Sequence, residues 1–385
     1  MKSFQIYHSV NALPTDWDGL VAHDIFLQSA YLKALQDASP NNIQWFYVGV
    51  FKNECLVGIA IIQRVQLYLK DMFRTIKVSC VKEFFRDAIS KILKGNILVA
   101  GNLMHTGQHG LFFQKKMISQ QDYINLVFEA LEVLKSDIKL KQNKTIRAIL
   151  FKDYFEDDSI HLEDDFFKIN NLHKVTVQPN MVLPIQPEWT SMSQYIYALN
   201  KKYKSRYKRA KNKLGSIVCE ELNLETIQRN SNKLYELYLN VSNNAKFNTF
   251  ILPQNHFYNL KLQLANRFRV FGYYSKGELV GFFSLIENNN NLETYFLGYD
   301  EIHQYQNQLY LNMLYSMLDF GIRNQFKTVV YARTAMEIKS SVGAKAKPMQ
   351  VYIKHTNWLL NAILKQIFGL MNPKQTWEER HPFKT

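Results

Sequence analysis

Three groups of residues in the last third of the chain have the types and spacing for proton transfer and anion binding. In NLETYFLGY, Glu293, Tyr295 and Tyr299 follow one another at even spacing. Period two along a strand puts all three on one face. A carboxylate among tyrosines can act as a general base; the competing reading is a surface acid on an edge strand. In RTAMEIKSSVGA, Arg333 ends a short strand, and Glu337 and Lys339 follow on a loop or short helix. Charged residues at the C-terminal end of a strand are where α/β sites tend to lie. Arg333 and Lys339 suit an acid group or a phosphate, and the alternative is an ion pair that stabilises the loop. His303, in YDEIHQYQNQLY, can move a proton, although a lone loop His is more often incidental.

Two further stretches carry charge or ligating groups. Between Lys201 and Lys213 stand Lys202, Lys204, Arg206, Lys208, Arg209 and Lys211, with no acid among them and Tyr203 and Tyr207 interleaved. A helix so uniformly basic repels itself and is expected to have an anionic partner, against the plainer reading of a solvated face. GNLMHTGQHGLFF holds His105, Gly107, His109 and Gly110. Two His four apart suggest a metal, but no third ligand is evident, so the segment reads as a structured turn. The acidic run FEDDSIHLEDDFF fits no calcium loop and reads as a solvated face.

The elements that must position these residues repeat. RVFGYYSKGELVGFFSL is a hairpin about Lys276-Gly277. NLETYFLGYD is a further strand. A helix follows, with Leu311, Leu314, Tyr315, Leu318 and Ile322 on one face, and then the strand KTVVYA. Earlier, FYVGVFKNECLVGIAIIQ aligns with the hairpin without a gap: Gly49 with Gly272, Leu56 with Leu279, Val57 with Val280, Gly58 with Gly281. The strand NILVAGNLM, the helix DYINLVFEALEVLKSDI capped by Ser119, and the strand TIRAILFKDY complete a first copy. The expectation is two domains, 1–180 and 181–385, the first with a basic, apolar insertion near 63–95. That insertion reads as a helical excursion on its own domain, with a membrane-surface segment as the alternative. Residues 1–45 read as short helices and loops, and VQPNMVLPIQPEW as an extended crossing. The apolar tail from Asn357 to Met371 reads as a buried helix, with an acyl-chain wall or a membrane-touching helix as alternatives.

The order strand, strand, strand, helix, strand, with the wording LVGFFSLI, YFLGYD and RTAMEIKSSVGAKAKP, resembles the GNAT-type acyltransferases. Within them it is similar to the branch that includes the Fem-type peptidoglycan aminoacyltransferases. The resemblance implies an α+β (mixed α/β) protein of two tandem GNAT-like domains, the second catalytic. It implies an acyl group held where the strands NLETYFLGY and KTVVYAR splay apart. Within that reading the catalytic candidates are Glu293, Tyr295, His303 and Arg333, and the substrate-binding candidates are Arg206, Arg209, Tyr299, Glu337 and Lys339. The sequence departs from the coenzyme A pattern at one place. No glycine lies between Gly298 and Gly321, where the family's glycine loop approaches a phosphate.

The reaction expected is N-acyl transfer from an acyl thioester, on acyl-carrier protein or as acyl-CoA, to the amine of an amino lipid or its precursor. The alternatives are a Fem-type ligase using aminoacyl-tRNA, disfavoured because no sustained heptad run supplies a coiled-coil arm, and a catalytically silent GNAT-fold binder of lipid or nucleic acid. No metal is expected. The chain has 385 residues, 47% of them hydrophobic, and a net charge of +14, which invites phosphate-rich partners such as the donor's carrier or an anionic membrane surface. Cys55, Cys80 and Cys219 are scattered, as in a reducing compartment. The start lacks a secretory apolar core, and no run is long enough to span a bilayer. A cytoplasmic protein, peripheral to the inner face of the membrane, is the expectation.

Overall fold

The computed structural model describes residues 1–67, 95–244, 248–364, 366 and 377–384. They fall into two compact units. The first holds residues 1–67, 95–177, 248–253, 348–364 and 366; the second holds 178–244, 254–347 and 377–384. Most of the insertion expected near 63–95, and the end of the apolar tail, lie outside the described residues.

The first unit begins with strand β1 (Lys2–Tyr7), helices α1 (Trp17–Leu20) and α2 (Ser29–Asp37), and the hairpin β2 (Ile43–Lys52) and β3 (Cys55–Leu67). Then come β4 (Gly95–Ala100), β5 (Leu111–Phe113), α3 (Gln120–Gln142), β6 (Ile146–Phe155) and α4 (Asp164–Ile169). The sheet runs β1-β2-β3-β4-β6, with β5 on β3. Only β4 and β6 pair parallel within this run. Such a pair requires a crossover, which α3 provides. Ser119 caps α3 by accepting from the Asp122 amide, as its sequence implies. The opening segment differs from its reading as helices and loops only. Lys2–Tyr7 is an edge strand, too short and too polar for its alternation to stand out.

The second unit starts within β7 (His173–Pro184), followed by α5 (Met192–Ala198), α6 (Lys201–Leu214), β8 (Val218–Glu221), α7 (Leu224–Arg229), α8 (Ser231–Asn244) and α9 (His256–Leu264). The hairpin β9 (Phe268–Ser275) and β10 (Glu278–Asn288) leads to β11 (Asn291–Tyr299), α10 (Glu301–Asn307), α11 (Leu309–Arg323), β12 (Thr328–Ala332) and α12 (Met336–Ser340). The sheet order is β7-β12-β11-β10-β9-β8, with β11 and β12 parallel. The Pro-rich crossing is thus a strand, paired from Met181 to Pro184 with β12. Helix α11 buries apolar residues on more than one face, among them Leu311, Met313, Leu314, Met317, Leu318 and Ile322. Each such side chain contributes roughly 1.5–3 kcal/mol by leaving water.

The repeated glycines have one job in both units. A Cβ on Gly58 would lie 2.8 Å from the Tyr123 ring of α3, and one on Gly281 would lie 2.8 Å from Met313 Cε of α11. Each glycine lets the crossover helix rest on its hairpin.

Two expectations differ from the packing. The units are not the contiguous spans 1–180 and 181–385, because the strand β13 (Lys345–His355) leaves the second unit and pairs with β6, Met349 opposite Phe155 and His355 opposite Ala148. Val351 and Ile353 are buried there with Val175 and Leu364. The helix α13 (Trp358–Ala362) follows, and its described part is not the buried helix expected. Trp358 is 76% exposed, and Leu359 and Ile363 are also exposed, while Asn361 and Leu364 are buried. Among the described residues no helix is long and apolar enough to cross a membrane.

Gly298 of β11 gives the sharpest packing test. A Cβ there would meet the Leu237 carbonyl carbon of α8 at 2.3 Å, a backbone contact that no rotamer change relieves. Gly298→Ala is expected to destabilise the protein by about 2–3 kcal/mol, read as a lower denaturant midpoint. An unchanged midpoint would show that α8 does not rest on this glycine.

Candidate active site

The parallel strands β11 and β12 pair over only three positions: Asn291 with Thr328, Leu292 with Val329, and Glu293 with Val330. Beyond Glu293 they part, and β11 runs on to Tyr299 beside β10. The register between β10 and β11 then shifts. Leu285 faces Thr294, but Phe283 faces Leu297, so Tyr295 and Phe296 together oppose Ser284. This is a β-bulge, one extra residue that bends a strand and re-aims its side chains. Ser284 is fully buried, and its hydroxyl donates to the Phe296 carbonyl at 2.6 Å, which pins the bulge.

The bulge divides the three residues that simple alternation put on one face. Glu293 and Tyr295 point to the side of α8 and α9. Leu297 and Tyr299 turn to the opposite side, where they pack on the core around α11. Glu293 is therefore not an edge-strand surface acid. It is 7% exposed, on a central strand, at the apex of the fork. Tyr295 shares a hydrogen bond of 3.1 Å with Nε2 of His256, and the rings stack with centroids 5.8 Å apart. His256, fully buried at the start of α9, escaped the sequence reading. It stands 39 residues from Tyr295 in the chain, and no spacing rule links the two.

At the end of β12 the backbone takes left-handed conformations at Ala332 (φ 57°), Thr334 (φ 65°) and Ala335 (φ 47°). Non-glycine residues adopt these at a cost, and runs of them cluster at functional sites. Lys339 holds this turn. Its Nζ donates to the carbonyls of Ala332 (3.2 Å) and Arg333 (2.5 Å). Lys339 is 5% exposed, and burial pushes its amine down to about 7. The expected anion-binding lysine is thus turned inward on backbone. Glu337 is exposed and ion-paired with Arg380 of the closing segment, which also pairs with Glu378. Arg333 is half-buried at the mouth of the turn.

His303 is occupied locally. Asp300 caps α10 by accepting from the His303 amide (3.0 Å), and the His303 ring Nδ1 lies 2.9 Å from the same oxygen. Burial works to raise the Asp300 carboxyl, but the His303 amide and ring outweigh it and hold it below the usual carboxylate range. The start of α11 is filled as well. Gln304 Oε1 accepts from the Tyr310 amide at 2.7 Å, and Asn312 Nδ2 donates to Ala210, Asn307 and Gln308 carbonyls. At this helix start Gln304 holds the Tyr310 amide, and no glycine there lets a phosphate approach the backbone closely.

On α6, Arg209 is exposed and Arg206 half-buried. Burial pushes the Tyr315 hydroxyl up to about 12, and Arg206 lies near enough to oppose the rise. The structure thus keeps Glu293 and Tyr295 together at the fork and adds His256. It leaves Arg333 at the end of β12 and sends Tyr299, His303, Glu337 and Lys339 to other partners.

In the first unit the matching fork between β4 and β6 is closed by the glycine-rich loop. Lys152 Nζ donates to the His105 carbonyl at 2.8 Å and pairs with buried Asp153. Gln108 Nε2 donates to the Lys152 carbonyl at 2.7 Å. His109 lies 2.6 Å from Asp24, and His105 3.1 Å from the Tyr31 hydroxyl. No group of three metal-ligating side chains forms among the described residues.

No family model matches the sequence, and no curated protein matches it. Solved structures do match. A tandem GNAT protein from the clavulanic acid biosynthesis pathway is similar with a TM-score of 0.53 at 10% identity, over 93% of this chain and 99% of that one. FemX is similar with a TM-score of 0.54 at 9% identity, over 94% of this chain and 99% of its own. Likeness at such identity establishes the fold. The chain has a tandem GNAT-like architecture of mixed α/β units, as the resemblance of its second half implied.

Lys339 makes a measurable linkage. Its folded-state amine titrates near 7 and its unfolded-state amine near ~10.4, so between these values the unfolded chain binds a proton that the folded chain does not. Stability from this group therefore rises with pH from about 7 to ~10 and is absent below 7. Lys339→Met is expected to remove that rise, on the order of a few kcal/mol across the window. Denaturation curves at pH 7 and pH 9.5 for both proteins check it. Parallel pH dependences in the two would mean that Lys339 is not buried as described.

Proposed function

We propose that this protein is an N-acyltransferase whose second unit forms an amide bond at the β11–β12 fork. The observation that carries the reading is a buried carboxylate, Glu293, at the point where two parallel strands stop pairing. In amide formation from a thioester the amine nitrogen bonds to the acyl carbon, the carbon–sulfur bond breaks, and the amine loses a proton to a base. Glu293 takes that proton. Tyr295, oriented by His256, gives a proton to the departing sulfur. Arg333 supplies positive charge at the end of β12.

The donor is an acyl thioester. The lack of a glycine at the start of α11, with Gln304 on the Tyr310 amide, disfavours a coenzyme diphosphate there and supports a carrier whose bulk stays outside the fork. The acceptor is an amino lipid or its precursor. Support comes from exposed Trp358 and Leu359 on α13, from exposed Ile363 just after it and from the net charge of +14, which together suit an anionic membrane surface. Action at the inner face of a membrane, from the cytoplasm, belongs to the same reading.

Mass spectrometry of total lipids from cells with and without the protein tests the substrate. Loss of an N-acylated amino lipid, with build-up of the free amine, is expected; unchanged lipids with altered cell-wall peptides would point to the tRNA-dependent alternative. With the acceptor in hand, Glu293→Gln should lower kcat by roughly 10²–10⁴ and change KM little. A variant with full kcat would remove Glu293 as the base.

A further inference from the structure

The second unit holds a basic cleft of 490 Å3, lined by Leu199, Asn200, Lys201, Lys204, Ser205, Lys208 and Lys384. Two segments build it. Three lysines come from the first two turns of α6. The fourth comes from the end of the chain, which is tied to the start of α6. The Asn200 amide donates to the Pro382 carbonyl at 2.9 Å, the Lys384 amide to the Ala198 carbonyl at 3.0 Å, and Leu199 forms a bridge with Phe383. These backbone bonds fix Lys384 beside Lys204. Tyr197 steadies both ammonium groups, with Lys384 Nζ 3.9 Å and Lys204 Nζ 5.2 Å from its ring centre.

This arrangement stores unfavourable electrostatics. No acidic side chain lines the cleft, and none of the four lysines makes an ion pair among the described residues. The first turn of α6 carries Lys201, Lys202 and Lys204 and no acid, against the preference of a helix start for negative charge. Burial, then the nearness of Lys384 and Lys208, holds the Lys204 amine below its ordinary value. Like charges gathered at a positive helix end repel one another unless an anion joins them. The volume lies in the range of small-molecule sites. Lysine, a compact point charge with three donors, suits phosphate oxygens.

We infer that this cleft is a binding site for a phosphate-bearing ligand, with Lys201, Lys204, Lys208 and Lys384 neutralising a diphosphate or a pair of phosphate groups. The inference is separate from acyl transfer at the fork. Binding needs no turnover, so either reading can fail alone.

The test is titration calorimetry of the whole protein with inorganic pyrophosphate, alongside thermal melts. Wild type should bind one pyrophosphate and melt higher with it. The double variant Lys204→Gln/Lys384→Gln should bind at least tenfold more weakly. Without ligand it should melt no lower than wild type, because a repulsion has been removed. The control Lys115→Gln/Lys116→Gln, which removes the same charge from an exposed site of the first unit, should bind as wild type does. Equal affinity in wild type and the cleft variant, or equal losses in both variants, would overturn the inference. Adenosine 3′,5′-bisphosphate and vesicles of phosphatidylglycerol or phosphatidylcholine then distinguish the source. Competition by the nucleotide assigns a soluble phosphate. Cleft-dependent binding to phosphatidylglycerol alone assigns a lipid headgroup. Failure of both ligands at the cleft would overturn the site as a physiological one.

Discussion

One extra residue in β11 decides where everything else in the second unit can act. Up to Glu293 the strand is an ordinary member of the sheet, paired on both sides. Pairing with β12 ends at Glu293, and the bulge at Tyr295–Phe296 follows directly in the ladder with β10. Three consequences follow together. A fork opens, Glu293 is left at its apex, and the side chains beyond the bulge change faces. The Ser284 hydroxyl on the Phe296 carbonyl makes this distortion tolerable, since a buried carbonyl without a partner costs on the order of 1–3 kcal/mol.

Both units close the far strand of their parallel pair with a buried lysine on backbone carbonyls, and the difference between them is instructive. Lys152 has Asp153 beside it and draws the glycine-rich loop across the end of β6. Lys339 draws only its own turn and has no carboxylate partner among the described residues, so burial lowers its amine. The ion pair with Asp153 makes Lys152 a fixed clamp on the loop. Lys339, without a carboxylate partner among the described residues, is lowered to about 7, and its Nζ holds the turn next to Arg333.

Much of the fold was legible because its signals are local. The Lys276-Gly277 turn, the paired glycines and the capped helix α3 each depend on residues within a few positions of one another. What was missed has the opposite character. Strand β13 joins the first unit although 190 residues separate it from β6, and no window along the chain contains both. Of the site, Glu293 and Tyr295 were visible as residue types on a strand, but Tyr299 was placed with them because strict alternation takes no account of a bulge. Lys339 and Glu337 were read as ligand-binding charges. Charge in a sequence does not say whether a side chain turns to solvent, to a carbonyl or to another charge.

By itself, then, the sequence determined the repeat, the order of strands and helices, and the basic character of α6, since periodicity and composition are properties of the chain alone. Tertiary structure decided which strand pairs with which, that β11 bulges, that His256 meets Tyr295, and that Lys384 closes a cleft with lysines some 180 residues earlier. These depend on contacts between distant segments, whose free energy appears only when the chain has folded and water has left the space between them.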